Sequence, residues 1–167
     1  GWWVFAGLWA TFVYFPVAHW VFAFDGVTGE TGGWIANKLK AIDFAGGTAV
    51  HINAGIAGLV LAVVLGKRAG WPGTPMRPHN LPFVMLGAGL LWFGWYGFNA
   101  GSAVSSGGLA GTTFITTTIA TAAAMLCWLL TERIRDGHAT SLGGASGVVA
   151  GLVAITPSCS SVNVVGA

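Results

Sequence analysis

Residues 43–66 read DFAGGTAVHINAGIAGLVLAVVLG, an apolar run that contains one further ionisable side chain, His51, after its opening residue Asp43. An α-helix needs about 20 predominantly apolar residues to cross the hydrocarbon core of a membrane. The run is therefore predicted to be a membrane-spanning helix, with His51 two helical turns inside it. Ionisable groups in such helices are costly and usually face other helices or a cavity, so His51 is the first candidate for a functional residue.

The whole chain shares this apolar character. Of its 167 residues, 54% are hydrophobic and only 7% are charged, whereas a soluble domain carries about 25% charged residues to cover its surface. This excludes a soluble domain held by a single anchor, and the net charge of +2 gives no reason to expect a nucleic-acid partner. We predict an all-α, polytopic membrane helix bundle of about five transmembrane helices, at about 2–24, 43–66, 81–103, 109–131 and 140–157.

Basic residues predict the orientation of these helices. Loops on the cytoplasmic side of a membrane carry an excess of Lys and Arg. Loops 67–80 and 132–139 together hold five basic residues, against two in loop 25–42. We therefore expect the first two loops on the cytoplasmic side, and loops 25–42 and 104–108 on the outer side.

Glycines recur at helical spacing and predict close helix packing. Helices in lipid associate through small residues that allow their backbones to approach, and the chain contains 27 glycines. Cys127 and Cys159 have no metal-ligand spacing and are expected to serve as small apolar residues. The glycine stripes lie at Gly55 and Gly58, at Gly94, Gly97 and Gly101, and at Gly143, Gly147 and Gly151.

His51 and Asp43 each allow two interpretations. A neutral imidazole donates a hydrogen bond at one nitrogen and accepts one at the other, so His51 suits a path for a small hydrogen-bonding molecule; alternatively, it binds a neighbouring helix. Asp43 caps the backbone N–H groups at the start of the helix, or its carboxylate attracts cations below an outer vestibule. A helix between the two residues would separate them by roughly 12 Å along its axis.

The third predicted span contains a second candidate site. Trp95, Phe98 and Ser102 stand at positions i, i+3 and i+7 and therefore share one helical face. Aromatic faces with a nearby hydroxyl oxygen can hold a small cation, and each cation–π contact contributes about 0.5–2 kcal/mol. The alternative is a belt of aromatic residues at the outer membrane interface.

These segments together resemble the Amt/Mep/Rh ammonium transporter family, in its bacterial Amt-type form. The similar stretches follow one another in order and cover almost the whole chain. They are DFAGG and VHINAGIAGL at 43–47 and 50–59, PHNLP at 78–82, GWYGFNAGS at 94–102, and the glycine-rich helix with its Thr-Pro-Ser-Cys end at 141–159.

The resemblance implies a place for this chain in a larger assembly. It implies a multi-pass transporter of the cell membrane that serves nitrogen uptake. The transporter would be a homotrimer, and each subunit would have eleven spans and its own narrow apolar pore. The chain is expected to be an internal fragment that covers spans four to eight. Ammonium or ammonia, the lipid bilayer and a PII-type regulatory protein on the cytoplasmic side are the implied partners. We expect no enzymatic activity, cofactor or metal.

The resemblance also assigns roles to the candidate residues. His51 matches the first of two pore histidines, whose partner belongs to span ten. Phe98 matches one of two stacked phenylalanines that gate the outer mouth. Ser102 matches the hydroxyl of the external recruitment site, and Asp43 the carboxylate that supports this site from below.

One position departs from the family pattern. The family has a tryptophan at the vestibule, at the end of span four, where this chain has Phe22. The following loop is longer and carries Trp34 nearer to Asp43. Either ring is a candidate for the aromatic wall, with Trp95 as a further supporting residue.

The residues favour a mechanism based on loss of a proton. Ammonium is recruited outside and deprotonated near Phe98, and neutral ammonia then passes His51; potassium, which is close in size, has no proton to lose. One alternative is an ammonium sensor built on a transporter scaffold. A less favoured alternative is an intramembrane enzyme that uses His51 as an acid or base.

Overall fold

The computed structural model describes residues 1–27 and 31–167, and within these ranges all regular structure is helical. Among the described residues, four helical stretches are long and apolar enough to cross a membrane, and a fifth apolar helix is shorter, at 15 residues. This confirms the predicted all-α membrane fold class. The helices are α1 (Trp2–Phe22), α2 (Gly47–Leu65), α3 (Leu81–Asn99, followed by a 3₁₀ turn at Gly101–Ala103), α4 (Gly108–Asp136) and α5 (Ser141–Ile155).

The chain forms two compact units, Gly1–Arg68 and Ala69–Ala167. In the first unit, α1 contains a π-type segment at Ala10–Tyr14. Pro16 follows two residues later and has no N–H to donate to a carbonyl four residues earlier, which explains a local change in the hydrogen-bond pattern of this helix.

Residues 32–37 fold back onto the end of α1. The N–H of Gly33 donates to the carbonyl of Ala23 over 2.8 Å, and the Asn37 side chain donates to the same carbonyl over 2.9 Å. A Cβ atom on Gly33 would collide with the backbone of His19 and Trp20, so only glycine allows this approach. A short π-type segment, Ile35–Leu39, then ends at Lys40.

In the second unit, α4 and α5 pack closely along the predicted glycine stripe. A Cβ on Gly147 would lie 2.7 Å from the Cα of Met125, and a Cβ on Gly151 would lie 2.7 Å from the Cα of Thr121. One on Gly143 would collide with the Glu132 carboxylate. The close packing of this stripe is therefore confirmed. An added Cβ has no neighbour within 4 Å among the described residues at the other stripes, Gly55, Gly58, Gly94, Gly97 and Gly101, so their packing stays a prediction.

Side chains fix the ends of these helices. The Glu132 carboxylate accepts hydrogen bonds from the backbone N–H and the hydroxyl of Thr140, and the Thr140 hydroxyl oxygen accepts from the N–H of Gly143 over 2.9 Å. Thr140 thus caps α5 and ties its start to α4. The helix α4 continues to Asp136, beyond the predicted end of the span at residue 131, and stops at Gly137 with a φ of 82°.

Candidate functional site

Asp43 organises the start of α2. Its two carboxylate oxygens accept hydrogen bonds from four consecutive backbone N–H groups, those of Gly46, Gly47, Thr48 and Ala49, over 2.5–3.3 Å. These are the N–H groups that a helix start leaves without a helical partner. The hydrogen bonds thus match the capping interpretation of Asp43, and its contribution to cation attraction stays a prediction.

His51 lies closer to the start of its helix than the sequence suggests. The helix begins at Gly47, after Gly46 at a φ of 117°, so His51 is its fifth residue and lies in the first turn. The prediction that His51 lies two turns inside its helix is therefore wrong. The predicted axial separation of Asp43 and His51 does not apply either, because Asp43 lies outside the helix. The physical reason is that residues 43–46 form a capping bend, in which the carboxylate replaces a helical turn.

The turn that carries His51 is of the π type, from Gly47 to Ile52. The Gly46 carbonyl accepts from the N–H groups of both Val50, over 2.9 Å, and His51, over 3.2 Å. Such wide turns are rare and occur frequently at functional sites. The His51 side chain is half-buried. The pair Gly46–Gly47 was the sequence signal for an irregular helix start, although the π turn itself was not predicted.

The structure brings Trp95, Phe98 and Ser102 together at the end of α3. The ring centroids of Trp95 and Phe98 are 5.4 Å apart, with an interplanar angle of 49°. The Ser102 hydroxyl, in the 3₁₀ turn, donates to the carbonyl of Phe98 over 2.7 Å. This donation leaves the hydroxyl oxygen able to accept hydrogen bonds. Phe98 is 37% exposed, so its ring is accessible in this unit.

Trp95 is anchored to the end of α5. Its indole N–H donates to the Thr156 hydroxyl oxygen over 3.0 Å, and this hydroxyl donates to the carbonyl of Leu152 over 2.7 Å. The anchor fixes the Trp95 ring, and with it the surface against which Phe98 packs.

An apolar cavity of about 390 Å³ adjoins this cluster along α3. Trp95 and Phe98 line it together with aliphatic residues and glycines, namely Gly87, Leu90, Leu91 and Gly94. Beyond the two rings the walls are aliphatic and offer a charge no compensation, so that part of the cavity suits a small neutral molecule better than an ion.

A buried polar cluster, which was not predicted from the sequence, lies beside α3. Asn99 is fully buried, and its amide donates to the hydroxyl oxygen of Thr117 on α4 over 3.0 Å. Fully buried threonines surround this contact on α4: Thr113, Thr116, Thr117 and Thr121. Their spacing of i, i+3, i+4 and i+8 places them on one helical face. This spacing is the feature of the sequence that could have predicted a polar face on α4.

Phe22 and Trp34 both lie in the first unit, and both are partly exposed, at 40% and 45%. The Trp34 ring is 6.1 Å from the ring of Trp20. It lines a cavity of about 270 Å³ together with Trp20, Asp25 and Asn37. The assignment of the vestibule wall to either ring stays a prediction. Across residues 1–27 and 31–167, no three His, Cys, Asp or Glu side chains are grouped to hold a metal ion.

Known proteins resemble the chain over its full length. The model of the Ammonium Transporter Family matches residues 1–167. An ammonium transporter of Mycobacterium tuberculosis (strain ATCC 25618 / H37Rv) is 82% identical over 166 residues, which are 99% of this chain and 35% of the relative. One from Aquifex aeolicus (strain VF5) is 54% identical over 165 residues, with 99% and 36% covered.

Solved structures show the same similarity. The crystal structure of Saccharomyces cerevisiae Mep2 matches with a TM-score of 0.85 and 40% identity, over 98% of this chain and 36% of that protein. A structure described as a Sensor Amt Protein matches with a TM-score of 0.79 and 33% identity, over 89% and 37%. The chain thus spans about a third of the length of the relatives that it matches. Given these matches and its apolar helices, the chain belongs to the Ammonium Transporter Family, as part of a multi-pass membrane protein.

Proposed function

We propose that the protein transports ammonium across a cell membrane. The observation that carries this proposal is the cluster of Trp95, Phe98 and Ser102, with an apolar cavity beside it, in a chain of this family. Ammonium donates up to four hydrogen bonds and carries a positive charge. The Ser102 hydroxyl oxygen can accept one of these bonds, and the aromatic faces attract the charge.

The transported species beyond this cluster is neutral ammonia. A charged group at the centre of a bilayer costs about 2.5–3.5 kcal/mol or more, and among residues 1–27 and 31–167 no acidic side chain lines the apolar cavity next to Phe98. Ammonium therefore loses its proton near Phe98, and neutral ammonia continues along the path. His51 hydrogen-bonds to ammonia on this path. Potassium is excluded because it has no proton to give.

Asp43 supports this path indirectly. Its carboxylate already accepts four backbone hydrogen bonds, so it acts by holding the first turn of α2, which carries His51. Its negative charge also favours cations near this end of the helix. We assign Asp43 to the supporting part of the site, together with Trp95 and one of the rings of Phe22 and Trp34.

The same proposal includes the assembly. The helices of this chain are spans four to eight of an eleven-span subunit, at about 2–24, 43–66, 81–103, 109–131 and 140–157, and the protein is a homotrimer with a pore in each subunit. A second pore histidine belongs to a span outside this chain. The basic loops 67–80 and 132–139 face the cytoplasm, where a PII-type protein binds. The chain covers 35–36% of the length of these relatives, which supports its being part of a longer subunit.

A sensor is the second candidate function, favoured by the similarity to the Sensor Amt Protein. A sensor on this scaffold would bind ammonium at the same cluster and would carry a soluble signalling domain elsewhere in the full-length protein. The sequence beyond residue 167 discriminates the two, since such a domain would indicate sensing.

The test is ammonium flux in proteoliposomes with the purified full-length protein. We expect protein-dependent uptake of ammonium or methylammonium, while matched liposomes loaded with potassium show no flux of that ion. Liposomes in which the protein binds ammonium without moving it would overturn transport and favour the sensor.

A further inference from the structure

The amide of Asn99 lies where an apolar side chain would be expected. Asn99 is the last residue of α3 and is fully buried, whereas the preceding Phe98 is 37% exposed. Only Ala88 and Asn99 are buried along the described helix α3. Burying an amide costs free energy unless it is hydrogen-bonded, so the contacts of this side chain determine its role.

One half of the amide connects two helices. The Asn99 N–H group donates to the hydroxyl oxygen of Thr117 on α4 over 3.0 Å, and Thr117 is itself fully buried. The carbonyl of Thr117 accepts from the Thr121 hydroxyl over 2.7 Å. The partner of Asn99 therefore belongs to a buried polar face of α4 and is itself held in place.

The other half of the amide has no hydrogen-bond partner among the described residues. The carbonyl oxygen of Asn99 is buried, and no hydrogen-bond partner for it occurs among residues 1–27 and 31–167. An unsatisfied buried acceptor is destabilising, and an aliphatic side chain would avoid this cost. The amide is therefore better explained by the orientation that it imposes than by stability.

The orientation in question is that of the last turn of α3. Ser102 donates to the Phe98 carbonyl, so the hydroxyl and the ring belong to the same turn. A Cβ added at Gly97 or Gly101 would meet no atom within 4 Å among the described residues, so close packing at these glycines does not fix the turn. The bonds from Trp95 to Thr156 and from Asn99 to Thr117 thus stand on either side of Phe98 and set the rotation of this turn.

We propose that Asn99 is a positioning residue, which acts through Thr117 to hold Phe98 and Ser102 in the geometry that receives ammonium. This inference rests on the proposed function, in which those two residues form the mouth of the path. It assigns a role to a residue that touches neither ammonium nor the path itself.

The test uses the full-length protein in cells that lack other ammonium transporters. The initial rate of methylammonium uptake gives KM and Vmax, each normalised to the amount of assembled protein. Asn99→Ala and Thr117→Val are each expected to raise KM by about two- to tenfold, the effect of one hydrogen bond. Thr117→Ser keeps the hydroxyl and should restore the original KM, and the double variant should be no worse than the worse single variant.

Thr116→Val is the matched control. Thr116 is equally buried, and its hydroxyl donates to the carbonyl of Cys159 over 2.7 Å rather than to α3. This variant should reduce the yield of assembled protein and leave KM unchanged. If Asn99→Ala and Thr117→Val behave in the same way, the amide is structural and the inference is wrong.

Two further variants separate this inference from the proposed function. If Phe98→Ala and Ser102→Ala leave KM and Vmax unchanged, the proposed mouth itself is wrong. If they change KM while Thr117→Val does not, only the role of Asn99 fails. Should Asn99→Ala not assemble, Thr117→Val decides alone, because it retains the side-chain shape and removes only the hydroxyl.

Discussion

At the scale of single residues, Asp43 holds the start of α2 through four backbone hydrogen bonds. Both of its oxygens bind the backbone of the turn that leads into His51. A carboxylate at the N-terminus of a helix also interacts favourably with the helix dipole. The position of His51 therefore depends on a residue that lies outside the helix.

Asp43→Ala should lower both stability and uptake. The loss of a cap with several charge-assisted hydrogen bonds is expected to reduce the free energy of unfolding by on the order of 2 kcal/mol. Asp43→Asn keeps one acceptor oxygen and should lose less. Thermal unfolding of the detergent-solubilised full-length protein measures the difference, and equal melting of Asp43→Ala and the original protein would refute the capping role.

Ser102→Ala should weaken the recruitment of ammonium. Removal of one acceptor is expected to raise KM for methylammonium by about two- to tenfold. Ser146→Ala is a suitable control, because the Ser146 hydroxyl makes the same type of bond, to the carbonyl of Leu142 over 3.0 Å, on a different helix. An equal KM in the two variants would argue against a role for Ser102.

Residue spacing predicted part of this site. The separation of Trp95, Phe98 and Ser102 was sufficient to place them on one face, because a helix has a fixed period. The bond from Asn99 to Thr117 was not predictable in this way, since it depends on which helices pack together. The π turn at His51 likewise depends on how Asp43 bonds to the backbone, which periodicity does not reveal.

At the scale of helices, the pair α4 and α5 is held by its glycine stripe. Gly147→Ala should destabilise this pair, because the added Cβ would lie 2.7 Å from the Met125 backbone and the helices would have to separate. Overpacking of this kind costs about 1–3 kcal/mol.

Gly144→Ala on the same helix provides the control for this substitution. The added Cβ would meet only the Leu129 side chain, at an ordinary distance of 3.8 Å. We expect the Gly144 variant to melt at or near the original temperature and the Gly147 variant to melt lower. The reverse order would contradict the packing.

The helix limits show what hydropathy does and does not predict. Apolar length locates the part of a helix that lies in lipid, but a helix can continue into water. The helix α4 continues to Asp136, through the charged residues Glu132, Arg133 and Arg135. At α2 the opposite holds: Asp43 and Gly46 delay the start of the helix, although the apolar run already began.

At the scale of the whole molecule, the proposed mechanism makes a prediction about selectivity. Potassium and ammonium are similar in size and charge, so a path that accepted the ion would accept both. If ammonium must lose its proton, a large molar excess of potassium should leave the methylammonium uptake of the full-length protein nearly unchanged. Rubidium, as a potassium tracer, should not enter. If potassium inhibits methylammonium uptake and rubidium enters as well, the deprotonation step is refuted.

The most direct measurement is uptake by the full-length His51→Ala protein, normalised to the amount of assembled protein. If His51 lines the proposed ammonia path, the loss of its hydrogen-bonding side chain should reduce the maximal rate by on the order of tenfold. His138→Ala, which removes an exposed histidine outside the site, serves as the control and should transport normally. Unchanged transport by His51→Ala would show that His51 does not line the path.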